Sequence, residues 1–411
     1  MSEWPSMFRI RQEFPSTEPV RAEDELRRQL LKSRVIDEIV PGMQVAIALG
    51  SRGIADIASL ASTLVNVLTE RGARPLIVPA MGSQGGATAQ GQAAVLASLG
   101  ITETRMNAPV RSDDAVVCTG TTPAGTPVYC DRLAAESDAV ICVNRVKPHT
   151  AFRAPIESGL MKMMAIGIGK RSSAQAVHSA PGGLAEGIVQ GARALMKKVP
   201  VRLGIAVVEN ALHRTAKVVV LEAHEIEEAE QELLKEATQM MPRLPFDDLD
   251  VLIVEEMGKN ISGAGMDPNV IGMSRRLPDI GTCSPRIGRI VALSLTEASH
   301  GNAEGVGLAD VISRRLMDRI DLRITYVNCI TSGFLRGGMI PITCESDREA
   351  IETAMSGFSP QTVRLARIKN TGDLHELDVS EPLLGEVHRN PRLLKLGEQG
   401  QFAFSSEGHL V

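Results

Sequence analysis

The chain reads as an α/β protein built from two α/β domains with mostly parallel sheets, and three observations predict this. Its 411 residues exceed one ordinary core. Apolar strand-like runs alternate with helix-like runs through both halves, the order that builds parallel sheets. A stretch with two prolines and three aspartates, MPRLPFDDLD (241–250), interrupts that alternation. We place the boundary there, with residues 1–242 as one domain and 243–411 as the other. The active site is expected in the cleft between them.

The elements follow in order. VAIALG (45–50) is a buried strand that turns at Ser51-Arg52-Gly53. Residues 54–72 repeat apolar side chains near every 3.6 positions and close on Gly72, which predicts a helix. PLIVPA (75–80) is the next strand, followed by MGSQGGATAQGQ and a helix through Leu99. AVVCTG (115–120) and PVYC (127–130) bracket a turn and form a small hairpin. DAVICVN (138–144) is a strand. A helix over about 184–198, the strand LGIAVVE (203–209) and a glutamate-rich helix (224–241) come next. The acidic run of that last helix fits a solvated face. In the second half, 251–256, 289–295, 322–328 and 363–369 read as strands, and 308–320 and 346–355 as helices. The last fifteen residues are expected to pack poorly.

Composition narrows the function. Hydrophobic content of 44% and charged content of 23% are those of a globular protein. Aromatic residues make up only 3%, and the net charge is −5. Neither stacking platforms nor a basic footprint for nucleic acid is present. No apolar run reaches the ~18–20 residues of a membrane span. The six cysteines stand singly, without a CxxC pair. A cytoplasmic protein with reduced thiols, acting on a small molecule without nucleic-acid or membrane partners, is expected. Homo-oligomerisation is left open.

Chemistry concentrates in residues 144–178, NRVKPHTAFRAPIESGLMKMMAIGIGKRSSAQAVH. His149 follows a strand directly, because Pro148 keeps Lys147 extended. Ligands gather beyond the carboxyl ends of parallel strands. Lys162 sits among leucine, methionines and isoleucines. It is either a desolvated, nucleophilic amine or a lysine reaching past them to solvent. Lys170, in GIGK, suits a phosphate, although the loop lacks the P-loop pattern. The turn GSQGGAT (82–88), between a strand and a helix, suits an anion or stands as a tight turn. Arg52 is a carboxylate or phosphate fork or a solvent-facing arginine. The glycine-rich loops 258–276 and 299–310 carry Asp267, Asn269, Arg275 and His300. They either close over a site or merely turn the chain.

Taken together, SRG, PAMGSQGGATAQGQ, NRVKPHT, ESGLMKM, GIGK, His178, GKNISGAGMDPN and SHGN resemble the lactate racemase family of nickel-pincer-dependent 2-hydroxyacid racemases and epimerases. The pieces span about residues 45–330, and Lys162 and His178 stand sixteen apart. The resemblance implies a pyridinium mononucleotide with two thiocarboxyl arms, carried covalently on Lys162. Nickel is held by that group and by His178. Further contacts to the group fall to Ser158, Gly159, Gly82, Gly85, Lys170, Asp267, Asn269 and Arg275. His149 would be a catalytic base and Arg52 the holder of the substrate carboxylate. The family uses two histidines as bases, and the first belongs in the GSxGG turn. Here that position is Gln84, whose amide accepts no proton at neutral pH. The resemblance therefore implies a 2-hydroxyacid racemase or epimerase for which lactate is a poor substrate, with His300 as a candidate second base. The acid sometimes found before the arginine is absent, Leu49 and Gly50 standing there. Two alternatives remain: a Schiff-base lyase using Lys162, and a non-catalytic cofactor- or phosphate-binding relative.

Overall fold

The computed structural model describes residues 4–15, 20–50, 53–272 and 284–411. Its strands are β1 (Met7–Gln12), β2 (Gln44–Leu49), β3 (Arg74–Pro79), β4 (Val116–Thr121), β5 (Pro127–Asp131), β6 (Ala139–Arg145), β7 (Val201–Glu209), β8 (Thr215–Glu222), β9 (Asp248–Val254), β10 (Arg286–Ala292), β11 (Val311–Ser313), β12 (Ile342–Cys344), β13 (Leu365–Ile368), β14 (Glu376–Ser380) and β15 (Leu393–Gly400). The fold is mixed α/β with mostly parallel sheets, as the alternation of elements predicts. Two compact units divide it, Thr17–His149 with Arg153–Met241, and Met1–Ser16 with Thr150–Phe152 and Pro242–Val411. Among the described residues no helix is long and apolar enough to cross a membrane.

The first unit holds the sheet β3-β2-β6-β7-β8. Its pairs are parallel apart from β7 with β8. Val45, Ala46, Ile47, Ala48 and Leu49 are all fully buried. Such a strand is covered on both faces and so reads as a continuous apolar run. The helix Ile57–Glu70 supplies one cover through Leu60, Leu64 and Leu68. From β2 the chain moves to β3 on one side, while β6 pairs on the other. The ends of β2 and β6 therefore border a point where the connections diverge, the usual place for a ligand crevice.

The second unit holds the sheet β12-β11-β10-β9-β13-β14-β1-β15. The first five strands are mutually parallel and the last three pairings antiparallel. Here the structure corrects several sequence expectations. The N-terminal residues, placed with the first domain, supply β1, which pairs with β14 and β15. Segment 322–328, expected as a strand from its β-branched residues, lies in the helix Leu322–Ser332. Asp321 caps that helix by accepting from the N–H of Ile324 at 3.0 Å, and Gly333 ends it at φ +69°. Capping at both ends outweighs local propensity. Residues 308–320, expected as a helix, hold β11 and only one short helical turn, Arg314–Met317.

Of the last fifteen residues, expected to pack poorly, Phe402 is buried and the others are exposed or half-buried. Trp4 meets Phe402 edge-on with ring centroids 5.5 Å apart and Phe404 at 5.2 Å. Trp4 is 6% exposed and Phe402 9%. Trp4 is also the single tryptophan of the chain. Trp4→Ala should lower the stability read by urea denaturation by about 3 kcal/mol. An unchanged midpoint would show that the terminal cluster contributes nothing.

Candidate functional site

The site grows from the carboxyl end of β6. Asn144 ends the apolar part of that strand. Its Nδ2 donates to the Gly159 carbonyl at 2.7 Å. Its Oδ1 lies so close to Gly50 that a Cβ there would sit 2.6 Å away. Gly50, just after β2, is thus required by close approach. Past Asn144 the chain makes a narrow loop and returns, with the N–H of Lys147 donating to the carbonyl of Ser158 at 2.8 Å. Arg145 turns sideways and pairs with the buried Glu209 at the end of β7. Burial pushes the Glu209 carboxyl up, but His213, Arg145 and the N–H of Ala55 outweigh it and hold it below its ordinary range. Since Ala55 comes a few residues after β2, this carboxylate also anchors the chain beyond that strand.

His149 is fixed through its backbone. Its N–H donates to Glu157 Oε2 at 2.6 Å, and its carbonyl accepts from Arg153 at 2.7 Å. Glu157 is 4% exposed, and its second oxygen accepts from the N–H of Ala154 at 3.1 Å. Burial raises the Glu157 carboxyl above its usual range, opposed by those N–H groups and by Arg153. The imidazole is itself nearly buried, at 9% exposure.

Lys162 ends the helical turn Leu160–Lys162, which widens into a π-type turn over Met163–Gly167. Such turns are frequent at functional sites. The amine Nζ lies 2.7 Å from His149 Nε2. Only one hydrogen fits between two nitrogens at that distance, so one of them presents a lone pair. The helical turn is held from below by Glu230, which is 1% exposed on the helix Ile226–Met240. Glu230 Oε2 accepts from the N–H of Met161 at 3.0 Å, and the N–H of Leu160 also donates to the carboxylate. Gly159 makes room for it, since a Cβ would stand 2.5 Å from the carboxyl carbon. Burial pushes Glu230 up to about 7 despite the two N–H groups.

The turn containing Gln84 is joined to the same segment. The N–H of Gly82 donates to the Gly167 carbonyl at 3.0 Å, and Gln92 Nε2 returns to the Gly82 carbonyl at 2.8 Å. Gly85, at φ +63°, would place a Cβ 2.5 Å from the backbone of Gly91. The anion expected at the following helix N-terminus meets competition from the chain itself. Thr88 Oγ1 caps the N–H of Gly91 at 3.1 Å, and Asp114 accepts the N–H of Ala89 at 2.6 Å.

Other expected residues stand elsewhere. Lys170 is buried at φ +55° and pairs with the fully buried Asp131 at 2.7 Å, so its charge is matched within the fold rather than offered to a phosphate. His178 is exposed at the end of the helix Lys170–His178. Asp267, Asn269 and His300 belong to the second unit. There Asp267 Oδ1 accepts from Asn269 Nδ2 at 2.8 Å, closing a local turn. Arg52 and Arg275 lie outside the described residues.

Sequence reasoning missed Asn144, Glu209 and Glu230. For Glu230 a signal existed. With Ile226, Leu233, Leu234 and Ala237 it falls on the buried stripe of its helix, where an acid needs a reason. Among the described residues, no group of three or more His, Cys, Asp or Glu is arranged to hold a metal ion.

Glu230 predicts a pH dependence. Its folded value lies above that of an unfolded glutamate, so the stability it contributes is full below pH ~4.5 and fades as pH rises through about 7. Glu230→Gln lacks this loss. Its stability relative to the parent should rise by on the order of 3 kcal/mol between pH 4.5 and 8, measured by urea denaturation. A pH-independent difference would contradict the burial of an ionisable carboxyl there.

Comparison with known proteins agrees with this architecture. Residues 17–185 match the lactate racemase N-terminal domain. No curated protein matches. Among solved structures, the lactate racemase apoprotein from Thermoanaerobacterium thermosaccharolyticum aligns with a TM-score of 0.56 and 13% identity. The match covers 90% of this chain and 99% of that one. At that identity the likeness speaks for the fold, while the domain match covers β2 to His178, which includes Gln84, His149 and Lys162. Over residues 17–185 the chain is thus similar to the lactate racemase N-terminal domain, and its fold is similar to that of the lactate racemase apoprotein.

Proposed function

We propose that this protein is a racemase or epimerase of a 2-hydroxy acid, and that its working form carries a nickel-pincer pyridinium mononucleotide on Lys162. The observation that supports this most is the 2.7 Å contact between the Lys162 amine and His149, inside the matched domain. A nucleophilic amine and a proton acceptor stand together beyond the ends of parallel strands.

The residues present fit such a group. It asks the chain for one amine and one imidazole, and Lys162 beside His149 and the exposed His178 offer these. Exposed His178 is that donor in our reading, and Lys162 the covalent anchor. When bound, the group supplies an acceptor and donor of hydride for the substrate's C2.

The chain's own work is proton transfer and orientation. His149 Nε2 takes the hydroxyl proton of one enantiomer, on a backbone braced by Glu157 and Arg153. Arg52 holds the substrate carboxylate, and Arg275 adds charge near it. Gln84 orients the hydroxyl through its amide without accepting a proton. A second imidazole is then needed for the opposite enantiomer, and His300 is our candidate. For these reasons we take the substrate to be a 2-hydroxy acid other than lactate.

The test uses chain produced together with the cofactor-making enzymes and a panel of 2-hydroxy acids deuterated at C2. Interconversion of stereoisomers with deuterium retained at C2 is expected. Interconversion with deuterium washed out to solvent would contradict the proposal.

A further inference from the structure

The contact between Lys162 and His149 has a use before any substrate arrives. We propose that His149 is the general base for acylation of Lys162, so that the chain supplies the proton acceptor for its own covalent loading. This rests on the reading of Lys162 as the anchor.

The geometry carries the argument. Nζ and Nε2 stand 2.7 Å apart, within direct proton-transfer reach. The backbone on both sides of the pair is held. Glu157 and Arg153 fix the main chain of His149. Glu230 holds the N–H groups of the turn that ends in Lys162. These three charged groups each contact backbone of the segments that carry the pair. The imidazole stands within proton-transfer reach of Nζ.

The step balances. Nζ, as a neutral amine, adds its lone pair to an acyl carbon. Addition drains electron density from nitrogen and makes its N–H acidic. That proton passes to Nε2. The bond from the acyl carbon to the leaving group then breaks, and the leaving group departs with the electron pair. The products are an acylated Lys162, an imidazolium and the leaving anion. Loss of that proton to solvent resets His149. An acylated nitrogen has no basic lone pair, so it no longer competes for protons with Nε2. The same imidazole is then available to a substrate hydroxyl.

The test needs no cofactor. The full chain is treated at pH 7.5 with the N-hydroxysuccinimide ester of acetic acid, and acetylation is timed at Lys162 and at exposed Lys32 by peptide mass analysis. Lys162 should react faster than Lys32 in the parent chain. In His149→Ala its rate should fall on the order of 100-fold, the usual contribution of a general base, while Lys32 is unchanged. His149→Gln keeps a hydrogen-bond acceptor beside Nζ and guards against misfolding; it should be equally slow. Free imidazole should restore part of the rate in His149→Ala. If Lys162 reacts as fast in both variants as in the parent, the proposal is overturned. Fast, His149-dependent acetylation in a chain that never takes up the pyridinium group would keep His149 as the base for Lys162 acylation but overturn its use in loading, and the anchor reading with it.

Discussion

A buried carboxylate sets the geometry on which the site depends. Glu230 accepts the N–H groups of Leu160 and Met161 from a position closed to solvent, and Gly159 is bare so that it can approach. The turn it holds ends in Lys162, and the strand end that meets this turn, through Asn144 and Gly159, leads into His149. Remove the carboxylate and two N–H donors at a helix start lose their partner in the core, at a cost that buried donors rarely bear. Its raised pKa is the expense of that arrangement: burial disfavours the charge, and only two N–H groups oppose it. A carboxyl poised about 7 beneath the lysine makes the turn's firmness a function of pH.

The pair above it has a corresponding constraint. Two nitrogens at 2.7 Å share one hydrogen, so amine and imidazole act as one unit until the lysine is modified. In the proposed reading, loading and turnover share that single imidazole. Gln84 stands where the resemblance to lactate racemases implies a second histidine base. Its turn is bonded to the π-type segment after Lys162, through Gly82 and Gly167.

Much of this was legible in the sequence, for physical reasons. β2, β3, β6, β7 and β9 are covered on both faces, so they read as short unbroken apolar runs. The prolyl residue after Lys147 and the glycines of 82–86 mark the loops that follow those strands. What stayed hidden depended on distant partners. β1 carries Arg9 and Arg11 and is recognised only through Asp378 and Glu376 on β14, more than 360 residues away. The helix Leu322–Ser332 is decided by its caps rather than by its β-branched interior. Glu230 looks like its acidic neighbours until its place on the buried stripe is counted. Lys170 resembled a phosphate ligand because its partner, Asp131, lies on another element.

The central claim is that Lys162 is the covalent anchor of a lactate-racemase-type site. Peptide-resolved mass analysis, with nickel measured in parallel, tests it on chain produced with and without the cofactor-making enzymes. The account predicts an added mass on the peptide containing Lys162, accompanied by nickel, only when those enzymes are present, and its loss in Lys162→Ala. No added mass, or an addition that persists unchanged in Lys162→Ala, would contradict it.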